Sequence, residues 1–104
     1  MDTEFYHSDK WKRLRRSILK RDGYQCQHAR RYGRMEEGNT VHHIFPKDSY
    51  PQYATEPWNL ITLSKKAHDM MHNRNGNELS QTGIELLIRT ARKYGKQIPK
   101  QYME

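Results

Sequence analysis

Four of the six histidines in this 104-residue chain lie close together, and their spacing restricts how that stretch can fold. His68 and His72 are four residues apart, so on a helix they share one face about a turn apart. Two neutral imidazoles in that arrangement commonly hold a divalent transition metal. His42 and His43 are adjacent on a predicted strand, so their side chains should point to opposite sides. One of them can complete a metal site while the other is free to act as a base.

The residue pattern around the histidines predicts helices and two short strands. Ser8 and Ser64 can each cap a helix, because a serine side chain accepts a hydrogen bond from the first helical turn. Thr82 and Glu85 form a capping-box pattern before a further helix. The predicted elements are a helix over 8–22, strands over 40–45 and 60–63, a helix over 65–72 and a helix over 82–95, with irregular structure over 24–38.

Length and composition exclude several classes of protein. A chain of this length forms one domain, predicted here to span residues 1–104. The single cysteine, Cys26, excludes an intramolecular disulfide framework and a cysteine-rich zinc finger. The longest apolar run, 86–88, is far shorter than the ~20 residues of a membrane helix, and residues 1–4 do not resemble a signal peptide. We therefore expect a soluble, cytoplasmic protein without a membrane partner.

The positive charge is concentrated in about one quarter of the sequence. The chain has a formal net charge of +7, whereas residues 8–34 contain ten basic and only two acidic side chains. A local excess of this size indicates a polyanionic partner, most commonly nucleic acid. A solvated helix face is the alternative interpretation. An anionic membrane surface fits less well, because the predicted helix has only a narrow apolar stripe.

A histidine base beside a histidine-bound metal suits phosphodiester cleavage. In-line displacement at phosphorus needs an activated water on one side and charge stabilisation near the leaving oxygen on the other. A metal can neutralise charge on the phosphate and on the departing 3′ oxygen. An imidazole with an unperturbed pKa near ~6.5 is mostly neutral at pH 7 and can take a proton from water.

The complete pattern, H-H-x15-N-x8-H-x3-H, resembles the HNH endonuclease family, whose active site is a ββα-metal (His-Me) finger. The lead-in over residues 5–26 is similar to that of small phage-type members, and the resemblance covers roughly residues 5–72. It implies an α+β fold with a ββα-metal core over 39–73, flanked by the basic N-terminal helix and the C-terminal helix. The matching segments are Val41–Pro46, Trp58–Leu60 and Leu63–His68, followed by His72.

The resemblance implies a role for each residue of the pattern. His42 corresponds to the first metal ligand, where many relatives have aspartate. His43 corresponds to the general base that activates the attacking water. His68 corresponds to the closing metal ligand, and His72 to a further ligand of the colicin-type branch. Asn59 corresponds to the central asparagine, which holds the loop between the strands and orients the base.

The resemblance also implies one divalent metal ion and a double-stranded DNA partner, cut to give 5′-phosphate and 3′-hydroxyl ends. Three histidine ligands suit Zn²⁺, Ni²⁺ or Mn²⁺ better than Mg²⁺, whereas relatives commonly use Mg²⁺ or Mn²⁺, so all four ions stay open. Contacts with the DNA backbone are expected from basic residues of the first helix and near the metal helix. These residues are Lys12, Arg13, Arg15, Arg16, Lys65, Lys66 and Arg74.

One departure from the family concerns a second metal. Many relatives carry two C-x-x-C pairs that hold a structural zinc beside the active site. The matching positions here are Cys26, Ala29, Ser64 and Ala67. With three thiolates missing, no structural zinc is expected, and ordinary packing should take its place. The aromatic candidates for that packing are Trp11, Tyr24 and Trp58.

Three alternatives to an independent DNA nuclease stay open. The first is a metal-stabilised module that binds DNA without cutting it; His43 and Asn59 argue against this, since a structural site needs neither. The second is a nuclease subunit that is active only with a phage packaging (terminase) protein, in the cytoplasm of the host cell. The third is a nuclease acting on RNA or single strands.

Overall fold

The helices and strands follow in the predicted order and form an α+β fold, with two further short helices. The structure is a computed structural model that describes residues 3–74, 76 and 78–103. Within those residues the helices are α1 (Thr3–His7), α2 (Asp9–Arg21), α3 (Gln27–Arg31), α4 (Lys65–Met70) and α5 (Gln81–Tyr94), and the strands are β1 (Thr40–His43) and β2 (Leu60–Leu63). Short 3-10 helices lie at Pro51–Tyr53, Pro57–Asn59 and Lys100–Tyr102. None of the described helices combines the length and apolar character needed to cross a bilayer.

β1 and β2 pair antiparallel, and their register determines which face each histidine takes. His42 lies opposite Ile61, and His43 lies opposite Leu60. Directly paired residues of antiparallel strands point to the same face, so the first pair lies on one face of the sheet and the second pair on the other. We call these the His42 face and the His43 face. The prediction that the two adjacent histidines point to opposite sides is confirmed.

Helices cover both faces of this small sheet. α2 packs on the His43 face, where Trp11, Ile18 and Leu60 form a small buried cluster. α4 contacts both strands and brings a histidine against the His42 face. A larger buried cluster joins β2 to α4 and α5 and includes Leu63 and Leu87. The sheet is therefore the middle layer, and each histidine of the pair is enclosed by a different set of helices.

Ser8 and Ser64 cap α2 and α4 as predicted. The Ser8 Oγ accepts a hydrogen bond from the Trp11 N–H at 3.1 Å, and the Ser64 Oγ accepts one from the Ala67 N–H at 3.1 Å. Each bond satisfies a first-turn donor that has no partner inside its helix. α4 is shorter than predicted, because it ends at Met70 rather than near residue 72.

The predicted capping box at Thr82 is wrong. α5 begins after Ser80, whose Oγ accepts a hydrogen bond from the Gly83 N–H at 3.2 Å. The same hydroxyl donates to the Met70 carbonyl oxygen at 2.5 Å, which ties the start of α5 to the end of α4. A Cβ at Gly83 would collide with the carbonyl oxygen of Met71. The absence of a side chain there lets the two helices meet beside the candidate ligands.

β1 is also shorter than predicted, for a reason that matters to the site. The Ile44 N–H still donates to the Asn59 carbonyl oxygen at 2.9 Å, but the Phe45 N–H donates to the Asn59 side chain at 2.7 Å. The Asn59 side chain thus replaces the backbone of β2 as the hydrogen-bond acceptor at the point where the strand pairing stops. β1 ends at His43, and the loop begins there.

α3 lies where irregular structure was predicted. A helix of five residues has few internal hydrogen bonds and leaves little periodic signal in the sequence. Its Ala29 and the preceding Cys26 are fully buried in the larger cluster. Tertiary packing rather than helix propensity therefore accounts for α3.

Three of the four positions that match the cysteine pairs of zinc-containing relatives belong to the larger cluster. All three are at most 4% exposed: Cys26, Ala29 and Ala67. The predicted aromatic packing is wrong for Tyr24, which is exposed, and for Trp11, which lies in the cluster on the His43 face. Trp58 does pack against the larger cluster. Small side chains fill this region because they sit between α3, β2 and α4.

Candidate active site

Three histidines converge on the His42 face. The ring centroids of His42, His68 and His72 are 5.2–5.4 Å apart, and one nitrogen from each ring lies within 4.8 Å of the others. This spacing allows one divalent ion to be bound by three imidazoles, which leaves a coordination position for water or substrate. The structure thus brings together the three predicted metal ligands.

The chemistry of His42 fits a metal ligand. Its Nε2 is buried and has no hydrogen-bond partner among the described residues. A buried polar atom without a partner costs free energy, and a bound cation would remove that cost. Burial, together with the nearby His68 and His72, lowers the pKa of His42 well below its ordinary value. The imidazole is therefore neutral at pH 7, as metal binding requires.

Each ligand is positioned by a different backbone element. His42 belongs to β1, and His68 is on α4. His72 lies just beyond the end of α4, where its backbone forms an isolated β-bridge with Leu79. Burial, with the adjacent His72, lowers the pKa of His68. The i,i+4 spacing identified the pair, but a bridge rather than a continued helix holds the second member.

On the other face, His43 is enclosed by aromatic rings. It stacks on Trp11 with a centroid distance of 5.2 Å and an interplanar angle of 18°. Phe5 and Tyr6 of α1 approach to 6.0 and 6.3 Å. Only 9% of His43 is exposed. The imidazole plane is thereby held in one orientation.

A backbone carbonyl selects the tautomer of His43. Its Nε2 lies 2.9 Å from the Ala54 carbonyl oxygen, which can only accept, so Nε2 carries the proton. The other ring nitrogen, Nδ1, then has the lone pair that a base needs. Burial lowers the pKa of His43, with the Lys47 cation acting in the same direction, while the Ala54 carbonyl and Asp48 oppose them. The result is a histidine that is neutral at pH 7.

Asn59 closes the loop that carries the Ala54 carbonyl. It is fully buried, and its Nδ2 donates to the carbonyl oxygens of Phe45 and Tyr53, each at 3.1 Å. Its Oδ1 accepts from the Phe45 N–H. Tyr53 precedes Ala54, so the asparagine fixes the backbone next to the carbonyl that orients His43.

The predicted DNA-contacting residues fall into two groups. Lys12, Arg13 and Arg16 are exposed on α2, on the side of the sheet that carries His43. Arg15 is half-buried, and its Nη2 donates to the Asn39 carbonyl oxygen at 2.6 Å. The second group is exposed on α4 and after it, nearer the metal ligands; its members are Lys65, Lys66 and Arg74. Lys65 also pairs with Asp69 at 3.3 Å.

Sequence reasoning missed several contacts of the base. The Ala54 carbonyl is a backbone group, so the identity of the residue at this position does not indicate its hydrogen bond with His43. The sequence predicts that Trp11 packs in place of the structural zinc, whereas its stacking on His43 depends on how α2 crosses the sheet. Lys47, 9% exposed with its Nζ 5.0 Å from the Phe5 ring centroid, was also missed. These contacts all depend on tertiary structure.

A search of solved structures finds a similar protein. The chain resembles the crystal structure of an HNH endonuclease from the deep-sea thermophilic bacteriophage GVE2, solved with a manganese ion. The TM-score is 0.63 and the sequence identity 31%, over 64% of this chain and 73% of that chain. The chain matches no protein-family model and no curated protein.

Proposed function

Because this chain belongs to the HNH endonuclease family, we propose that it is a metal-dependent endonuclease that hydrolyses phosphodiester bonds in double-stranded DNA. One observation carries the proposal. Three histidines converge on the His42 face of the sheet, and His43, which the Ala54 carbonyl orients, lies on the other face. A structural metal site would need no such additional histidine. Similarity to a phage HNH endonuclease supports nuclease activity independently of this geometry.

His42, His68 and His72 are the proposed metal ligands. A divalent ion bound there would neutralise charge on the scissile phosphate and on the leaving 3′ oxygen. The all-nitrogen ligand set favours Mn²⁺, Ni²⁺ or Zn²⁺ over Mg²⁺. Mn²⁺ is the first ion to test, because the similar phage enzyme was solved with it.

His43 is the proposed general base. Its Nδ1 takes a proton from a water molecule as the water oxygen bonds to phosphorus. The P–O3′ bond breaks, and the 3′ oxygen takes a proton from solvent, which gives a 5′-phosphate and a 3′-hydroxyl. The resulting imidazolium keeps its Nε2–H bond to the Ala54 carbonyl, which becomes stronger when the donor is charged.

The exposed cations are proposed to bind the DNA backbone. Contacts from Lys12, Arg13 and Arg16 on α2, and from the group near α4, would give affinity without sequence information. Each neutralised phosphate contributes about −0.9 to the slope of log affinity against log salt concentration. A slope near zero would contradict this part of the proposal.

The decisive experiment is cleavage of supercoiled plasmid by the purified protein with Mn²⁺, Mg²⁺, Ni²⁺ or Zn²⁺. The chain offers a matched control: His43→Ala removes the proposed base, whereas His7→Ala removes an exposed histidine outside the triad. We expect metal-dependent nicking by the wild type and by His7→Ala, and its loss in His43→Ala.

Cleavage that persists in His43→Ala would show that the base is wrongly assigned. If no ion supports cleavage by the wild type, the independent nuclease is wrong, and a phage packaging protein should be added next. Comparison of plasmid with single-stranded DNA and RNA of equal length tests the substrate class.

A further inference from the structure

A pocket outside the histidine sites lies between α3, β2 and α5. Its volume is about 360 Å³, and Ile61 and Leu63 of β2 contribute to its lining. Arg31 lines it from α3, and Arg89 and Lys93 line it from α5. Arg31 belongs to the basic segment 8–34, but none of the three cations is among the individual residues predicted to contact DNA.

The pocket has an excess of positive charge. Burial, and after it the nearby Arg31 cation, lowers the pKa of Arg89. Within the described part of the chain, the side chain of neither arginine makes a hydrogen bond or an ion pair. Glu85 is the one acidic residue in the described lining, and it acts with Tyr32 against this lowering of the Arg89 pKa. Three cations thus share a pocket with a single described carboxylate.

We propose that Arg31 and Arg89 bind a phosphate group of the nucleic-acid backbone, at a subsite separate from the scissile phosphate. Guanidinium groups present paired N–H donors that match phosphate oxygens, and they are less costly to desolvate than an ammonium group. Gln27 and Tyr32 add neutral polar groups to the same pocket. A phosphate would relieve the repulsion between the arginines and fill their unused donors.

The pocket is close to the candidate active site, which favours DNA as the source of the phosphate. Ile61 in its lining is the cross-strand partner of His42, and such partners lie roughly 5 Å apart. Met71, also in the lining, directly precedes His72. A strand of DNA at the metal ligands would therefore pass near the pocket. The inference rests on the proposed function in this one respect.

The test compares two double variants with the same change in charge. Arg31→Gln with Arg89→Gln removes both proposed contacts. Arg30→Gln with Arg92→Gln removes one arginine from each of the same helices, and neither of these lines the pocket. Affinity for a short DNA duplex is measured in EDTA, so that no cleavage occurs, at several salt concentrations.

We expect the pocket variant to bind about tenfold more weakly than wild type, with the salt slope reduced by about one. The control variant should change the logarithm of the affinity by less than half as much as the pocket variant does. Equal effects of the two double variants would overturn the proposal. The pocket variant should melt no lower than the control, since it removes a repulsion.

The source of the phosphate is tested by following the arginine Nε–Hε signals in NMR. Addition of duplex should shift the Arg89 signal, and inorganic phosphate should do so only at much higher concentration. Saturation by inorganic phosphate or pyrophosphate, with no response to duplex, would overturn nucleic acid as the ligand. Plasmid cleavage is a separate readout. If no cleavage is seen but the two double variants still differ in DNA affinity, the proposed nuclease activity is contradicted and the phosphate subsite is not.

Discussion

At the scale of single residues, the orientation of His43, the proposed base, depends on Asn59. Three hydrogen bonds of 2.7–3.1 Å join its side chain to the backbone of Phe45 and Tyr53. The next residue, Ala54, holds the Nε2–H of His43 through its carbonyl oxygen. A residue that touches no substrate therefore controls the direction in which the base presents Nδ1.

Replacement of Asn59 by alanine should reduce both stability and turnover. It leaves one N–H and two carbonyl groups without this partner, so we expect the free energy of unfolding to fall by about 2–4 kcal/mol. Because the base loses its orientation, kcat should fall more than KM changes. Urea denaturation and duplex-cleavage kinetics measure the two effects. An unchanged kcat in Asn59→Ala would contradict the positioning role.

At the scale of secondary-structure elements, the connection from α4 to α5 positions the last ligand. His72 follows α4 and is held by the β-bridge to Leu79, and Ser80 then caps α5. The Ser80 hydroxyl accepts from Gly83 and donates to Met70, so one side chain ties both helices together. The geometry of the metal ligands thus depends on a helix start outside the ββα unit.

Ser80→Ala and Thr82→Ala together test where α5 begins. Loss of the Ser80 cap should lower the free energy of unfolding by about 1–2 kcal/mol, whereas loss of the Thr82 hydroxyl should change it by less than about 0.5 kcal/mol. Urea denaturation of both variants measures the difference. A larger effect of Thr82→Ala would restore the capping box that the sequence predicts.

The elements around the histidines could be predicted because local patterns specify them. β-Branched residues mark β1 and β2, and Ser64 marks the start of α4. The histidine pattern likewise indicated three candidate ligands, which the structure brings together. α3 and the aromatic enclosure of His43 could not be predicted, because packing between distant segments produces them. The Ser80 cap was missed because the sequence offers two hydroxyl residues, and only the contact with Met70 distinguishes them.

At the scale of the whole molecule, the histidine triad takes its members from separate parts of the chain. The two buried clusters account for only some of the contacts that hold these parts together. His42 comes from the sheet, whereas His68 and His72 come from α4 and the segment after it. An ion bound by all three would act as a crosslink between these parts. Since the unfolded chain has no such site, metal binding should stabilise the fold.

Addition of a divalent ion should raise the melting temperature of the metal-free protein. An ion at one hundred times its dissociation constant contributes about 2.7 kcal/mol, provided that it binds the folded state alone. His72→Ala should abolish the shift, while His7→Ala should retain it, because only His72 belongs to the triad. Thermal denaturation with and without Mn²⁺ measures the effect. A shift of equal size in His72→Ala would place the stabilising ion elsewhere.

The stability of the metal-free protein should also fall as the pH decreases, because its buried histidines resist protonation. Burial lowers the pKa of His42 well below the ordinary value of 6.5, and burial also lowers the pKa values of His43 and His68. Below about pH 6.5 the unfolded chain therefore binds more protons than the folded one, and acid favours unfolding. Each histidine that is protonated only when unfolded contributes a slope of about 1.4 kcal/mol per pH unit.

Urea denaturation in EDTA between pH 5 and pH 8 measures this dependence. The free energy of unfolding should rise with pH up to about 7 and then level off, since the unfolded histidines are neutral above that range. His42→Leu should flatten the rise, because the residue whose pKa is lowered most is removed. Equal stability at pH 5.5 and pH 7.5 would mean that His42, His43 and His68 accept protons in the folded state and are more open to water than their burial indicates.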